Sequence, residues 1–166
     1  WRGMFIFMPA SQYFSRSSAI EFITKENKDA PFRIFTVSKA DEYAEILKSD
    51  KREALVYDLA VSVPNLNIMQ DVSLMGGNEA FNTRRSEIIL NKKDLYKNLS
   101  FLSMFNVKYL LSSFDLPLPL HKVFETKATK YNIPVYIYEN TNVLPRVYFA
   151  KIPIYARETN EDKLFE

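Results

Sequence analysis

The chain has 166 residues, 47% of them hydrophobic and 25% charged, enough to bury one core without staples and ordinary for one globular domain. With no cysteine and a single histidine, it cannot form disulfides, thiolate metal sites, His-rich zinc centres or a cysteine–histidine pair, although absent cysteine does not fix a compartment. The net charge of +2 divides into −2 over residues 1–83 and +4 over residues 84–166. In the second half only Arg84-Arg85 and Lys92-Lys93 pair up, too dispersed for the single basic face that nucleic-acid binding uses.

In chain order, Met4 to Met8 is the longest apolar candidate near the start, far short of the roughly 20 residues of a membrane span. With Trp1 it suits either a segment leaving a membrane interface or an ordinary N-terminal strand. Ser18-Ala-Ile-Glu21 reads as a capping box, predicting a helix to about Asn27. Asp29-Ala-Pro31 breaks it, and Phe32 to Val37 reads as a buried strand. Ser38 to Asp41 caps a second helix with an apolar stripe of Ala40, Tyr43, Ala44 and Leu47. Ala54 to Val63 fits a helix or a strand, and Pro64 ends it.

Asn65 to Leu74 is expected to be extended, and Met75-Gly76-Gly77-Asn78 to be the loosest turn. Asn91 to Asp94 caps a third helix with Leu95, Leu99, Leu102 and Phe105 on one face, closed by a left-handed Asn106. Strands are expected at Val107 to Leu111, His121 to Thr126, Pro134 to Tyr138 and Arg146 to Ala156. The last two, about the polar turn Glu139-Asn140-Thr141-Asn142, read as strand, turn and strand. The expectation is an α+β (or α/β) fold, one domain over 1–166, with a mixed sheet, about three helices and a strand-rich C-terminal third. The chain opens on Trp1-Arg2 and stops as a helical pattern begins at Leu164-Phe165-Glu166, so a domain excised from a longer protein is expected.

Candidate chemistry is sparse. His121 lies between a proline-rich loop and a strand, with no G-x-S-x-G elbow to aim a serine at it; a structural or exposed role is expected. Met75 to Asn78 offers backbone N–H groups to a phosphate but lacks the Lys-Ser/Thr of a P-loop and a third glycine. Asp58, Asp71 and Glu79 converge only if the fold brings them together, since the calcium-loop spacing is absent. Arg84-Arg85 suits an anionic sugar or lipid headgroup, or an ion pair with Glu87. Asn98-Leu-Ser100 matches a glycosylation pattern inside the predicted third helix. Tyr13, Phe14, Tyr136 and Tyr138 suit sugar stacking or the core. No catalytic, cofactor or metal residue is assigned; Gly76, Gly77, Asn78, Glu79, Arg84 and Arg85 form the candidate substrate-binding stretch.

Phe32-Arg-Ile-Phe, Pro64-Asn65 with the Met-rich run into Gly76-Gly77, Asn106-Val-Lys-Tyr-Leu-Leu111, and Val135-Tyr-Ile-Tyr-Glu-Asn140 with Leu144-Pro-Arg-Val147 occur in one order. Together they resemble the soluble region of YfhO-like bacterial membrane proteins, a family similar to the multi-spanning GT-C glycosyltransferases. The resemblance runs from about Ser11 to Tyr155. It departs at the mid-chain turn, where the family has Gly-Tyr-Asp and this chain Gly76-Gly77-Asn78-Glu79. It implies an extracytoplasmic, non-catalytic accessory domain of a polytopic membrane protein. The implied partners are its own transmembrane region and a glycan or lipid-linked sugar, with the isolated domain a monomer. The family's catalytic acid belongs to the membrane part and maps to no residue here. A stand-alone carbohydrate-binding module is the alternative, and a soluble hydrolase a more distant one.

Overall fold

A computed structural model describes residues 9–26, 31–37, 43, 48–76, 94–117 and 119–149. Within them a single helical turn, α1 (Ala10–Tyr13), precedes α2 (Ser18–Glu26). Strand β1 (Arg33–Val37) follows, then helix α3 (Lys51–Ala60), a 3-10 turn at Leu66–Ile68 and the two-residue strand β2 (Ser73–Leu74). A second 3-10 turn, Leu95–Lys97, leads into α4 (Leu99–Met104) and strands β3 (Val107–Ser112), β4 (His121–Ala128) and β5 (Ile133–Glu139). The five strands form one mixed sheet in the order β2-β1-β3-β5-β4. The pairs β2/β1 and β1/β3 are parallel; β3/β5 and β5/β4 are antiparallel. This is a single α+β domain with helices on both faces of the sheet. No helix among the described residues is long and apolar enough to cross a membrane.

Strand alternation divides the core in two. Ile34, Tyr109, Leu111, Ile133, Val135 and Ile137 turn one way, onto Ala19, Ile20 and Ile23 of α2 and Tyr57 and Ala60 of α3. Val37, Leu110 and Tyr138 turn the other way, onto Leu95, Phe101 and Leu102. A register shift between Arg33 and Ile34 lets Val107 join this second face although its parity matches Tyr109. Strand β3 is therefore covered on both sides, which is why Val107, Tyr109, Leu110 and Leu111 are all apolar or aromatic and only Lys108 interrupts the run.

Several expectations hold: α2, β1, β3, β4 and β5 lie where the pattern places them, and Asn106 is left-handed at φ 60°. Others are corrected. Ser17, not Ser18, caps α2: its Oγ accepts the Ile20 N–H at 3.3 Å and its carbonyl accepts the Glu21 N–H at 2.8 Å. The stretch from Ala54 resolves as helix because Asp50 caps it, Oδ1 accepting from the Glu53 N–H. Of the stretch expected to be extended, only Ser73–Leu74 is strand; a left-handed Asn65 (φ 75°) starts a 3-10 turn, and the Asn67 amide donates to the Val72 carbonyl at 2.9 Å. The third helix is not continuous from Leu95 to Phe105. Asp94 is left-handed at φ 69° and Asn98 is non-helical, so the chain makes a 3-10 turn and restarts with Asn98 capping Phe101.

The largest correction concerns the end of the chain. Residues 146–149 are not strand, and Val147 and Phe149 are 80% and 96% exposed. The partners of β5 are β3 and β4, and its hairpin turn is Thr129 to Asn132 rather than Glu139 to Asn142. The predicted second helix (Tyr43 excepted), Met4 to Met8 and residues 150–156 lie outside the described residues.

Candidate functional site

Gly76 is the one residue of the candidate stretch among those described. It is exposed, and its φ of 103° is accessible to glycine alone without a Cβ clash. Just before it, the Met75 N–H donates to the Ile34 carbonyl at 2.8 Å, extending the parallel β2/β1 ladder. Gly76 thus leaves the sheet at the carboxyl ends of parallel strands, the side on which open α/β sheets bind ligands. Gly77, Asn78, Glu79, Arg84 and Arg85 lie outside the described residues.

The other singled-out groups do not converge. Asp71 is exposed and pairs with Arg16 at 3.3 Å. Asp58 is half-buried on α3, and burial raises its pKa above the usual carboxylate range. His121 is exposed on edge strand β4, opposite Glu139. Tyr138 is core, and Tyr136 carries the Lys122 ammonium 4.2 Å from its ring centroid. Phe14 is exposed. Among the described residues no three His, Asp or Glu side chains form a metal-binding group. Asn98 is spent on capping α4 through its side-chain oxygen.

The motif residues meet in a buried polar joint. Asn140 follows β5 and is 2% exposed; its N–H donates to the Lys108 carbonyl at 2.7 Å. Its Nδ2 donates to Ser103 Oγ at 2.9 Å and to the Val107 carbonyl at 3.0 Å. Asn106 Nδ2 donates to the Leu144 carbonyl at 2.9 Å, and the Leu144 N–H donates to the Ser103 carbonyl at 3.1 Å. The segment after β5 is therefore tied across the start of β3. This explains why Val147 does not return as a hairpin strand.

A second joint closes the loop between β3 and β4. The Tyr138 hydroxyl donates to Asp115 Oδ1 at 2.7 Å and accepts the Leu116 N–H at 3.1 Å, while Lys122 pairs with Asp115 at 2.7 Å. Lys122 and then Tyr138 hold the Asp115 carboxyl below its ordinary range. Burial, then Asp115, pushes the Tyr138 phenol up. A phenol shifted upward stays protonated at neutral pH, where it donates to Asp115 and fastens this loop.

A cleft of about 350 Å³ opens between the start of α2, α3 and the end of β4. Ser15, Ser17, Ser18, Thr126 and Thr129 line it, with Arg52, Glu53 and Lys127 beside them and Ala19, Val56, Leu59, Ala60 and Ala128 as its apolar side. Ser18 Oγ and Thr126 Oγ1 share a hydrogen bond of 3.3 Å across it. Glu53 Oε2 accepts the Lys130 N–H at 2.7 Å, tying α3 to the β4–β5 turn. Sequence reasoning missed this cleft because its members come from three stretches that only packing joins. The serine run Ser15-Arg-Ser-Ser18 is the one local sign of it. Comparison with protein-family models, with curated proteins and with solved structures finds no match for this chain.

Proposed function

We propose that the chain is a non-catalytic extracytoplasmic accessory domain of a polytopic bacterial membrane protein resembling the GT-C glycosyltransferases. In this reading it engages a glycan or lipid-linked sugar acceptor through the stretch opened by Gly76 and carrying Gly77, Asn78, Glu79, Arg84 and Arg85. The observation that carries the non-catalytic part is the use made of the motif residues. Asn106, Asn140 and Leu144, from the two most specific pieces of the resemblance, spend their polar groups on one another's segments. Asn106 and Asn140 are 5% and 2% exposed, so their amides hold the fold in place and are closed to a substrate. The placement of Gly76 just past the carboxyl end of β2 supports a ligand role for the turn it opens.

The experiment is incubation of the purified chain with polyprenyl-phosphate sugars and cell-wall glycans, followed by product analysis and backbone amide shifts. No product is expected, with shifts clustered from Gly76 to Arg85. Sugar transfer by the chain alone would overturn the reading.

A further inference from the structure

The cleft between α2, α3 and β4 has the composition of a binding site for a small neutral ligand rich in hydroxyls. Its volume of about 350 Å³ falls at the lower end of the range for small-molecule sites. The charge balance decides the ligand class. Thr126 is bonded to Ser18, and Ala128 packs in the core against α2 and α3. Both face the helices, so strand alternation turns the Lys127 side chain to the opposite face of the sheet. Of the three charged residues that line the cleft, Arg52, Glu53 and Lys127, this leaves the side chains of Arg52 and Glu53 on the helix side, one of each sign. A bare anion would meet the Glu53 carboxylate, and a bare cation the Arg52 guanidinium.

A neutral polyol suits both. Its hydroxyls donate to carboxylate and serine oxygens and accept from guanidinium N–H groups, while Val56 and its apolar neighbours receive the C–H face. Glu53 is held for this task, because one of its oxygens is anchored by the Lys130 N–H. We infer that this cleft binds a monosaccharide unit, with Arg52, Glu53, Ser18, Thr126 and Thr129 as its polar contacts. The inference shares a broad ligand class with the proposed function but none of its residues, and it stands on the cleft alone.

The test is titration of the full 166-residue chain with glucose, N-acetylglucosamine and inorganic phosphate, each followed by amide shifts. A sugar is expected to give saturable shifts at Ser18, Arg52, Thr126 and Thr129 with a dissociation constant on the order of 1 mM, and phosphate none. Arg52→Gln should weaken binding about tenfold by removing charge-assisted hydrogen bonds. Val56→Phe should abolish binding by filling the cleft, and it provides the test if Arg52→Gln does not fold. Equal response to phosphate at these amides overturns the neutral ligand. No sugar response at these amides, or unchanged affinity in folded variants, overturns the site. Shifts confined to Gly76 to Arg85 overturn it while leaving the proposed function standing.

Discussion

Asn140 Nδ2 reaches Ser103 Oγ at 2.9 Å and the Val107 carbonyl at 3.0 Å, so one buried amide joins the end of β5 to the last turn of α4 and the start of β3. Removing it leaves the Val107 carbonyl without that donor in an environment closed to water. Such losses cost more than a hydrogen bond's net worth, because the stranded group keeps its desolvation penalty.

Asn140→Ala is therefore expected to destabilise the domain by about 2 kcal/mol, read as a lowered urea midpoint at unchanged slope. Asn140→Asp should be worse, since it replaces a donor by a buried charge facing a carbonyl. Wild-type midpoints for both variants would refute the joint's structural role.

Ser62 offers the opposite case. It is fully buried, its φ is 53°, and its Oγ has no hydrogen-bond partner. Ser62→Gly removes both the left-handed strain and the stranded hydroxyl, against a smaller entropic cost of glycine in the unfolded chain. A net gain of about 1 kcal/mol is expected, visible as a higher thermal midpoint. A lower midpoint would mean that the hydroxyl is satisfied in solution.

Asp115 sets an acid limit. Its folded pKa is depressed by Lys122 first and Tyr138 second, so its contribution is present above the unfolded value near 3.9. That contribution is lost as pH falls through the lower folded value. Asp115→Asn should flatten the stability profile below about pH 4 and change little in its shape at pH 5 to 8. An unaltered acid limb in the variant would contradict this assignment.

Asp58 has the reverse sign. Burial raises its folded pKa, so the ionised carboxylate is a cost at neutral pH. That cost is relieved as pH falls through the raised value toward the unfolded one. Asp58→Asn should raise the denaturation midpoint at pH 7, with the advantage shrinking toward pH 4. A gain independent of pH would point to packing instead of charge.

The residues also show where local pattern stops being informative. Strand β3 was legible because a strand covered on both faces is mostly apolar, as Val107, Tyr109, Leu110 and Leu111 are, and Asn106 because few residues tolerate φ 60°. The broken third helix was not. Its apolar spacing from Leu95 to Phe105 is helical, yet Asp94 takes a left-handed turn and the Asn98 side chain satisfies the new helix start. The exposed run Val147 to Phe149 has strand composition without strand pairing, because the bonds of Asn106 and Leu144 carry the chain away from β5.

The amino-acid order by itself placed α2, β1, β3, β4 and β5, predicted a mixed sheet, and excluded disulfide and thiolate chemistry within this chain. These follow from side-chain periodicity and residue inventory, which are properties of neighbours along the chain. Only the tertiary structure decided that β5 lies between β3 and β4, that Asn140 is a buried tie, and that Ser18, Arg52 and Thr126 border one cleft. The Asn140–Val107 and Ser18–Thr126 bonds among them join residues 33 and 108 positions apart. Which long-range contacts form depends on how two faces of one sheet are covered at once, and no local window of sequence contains that information.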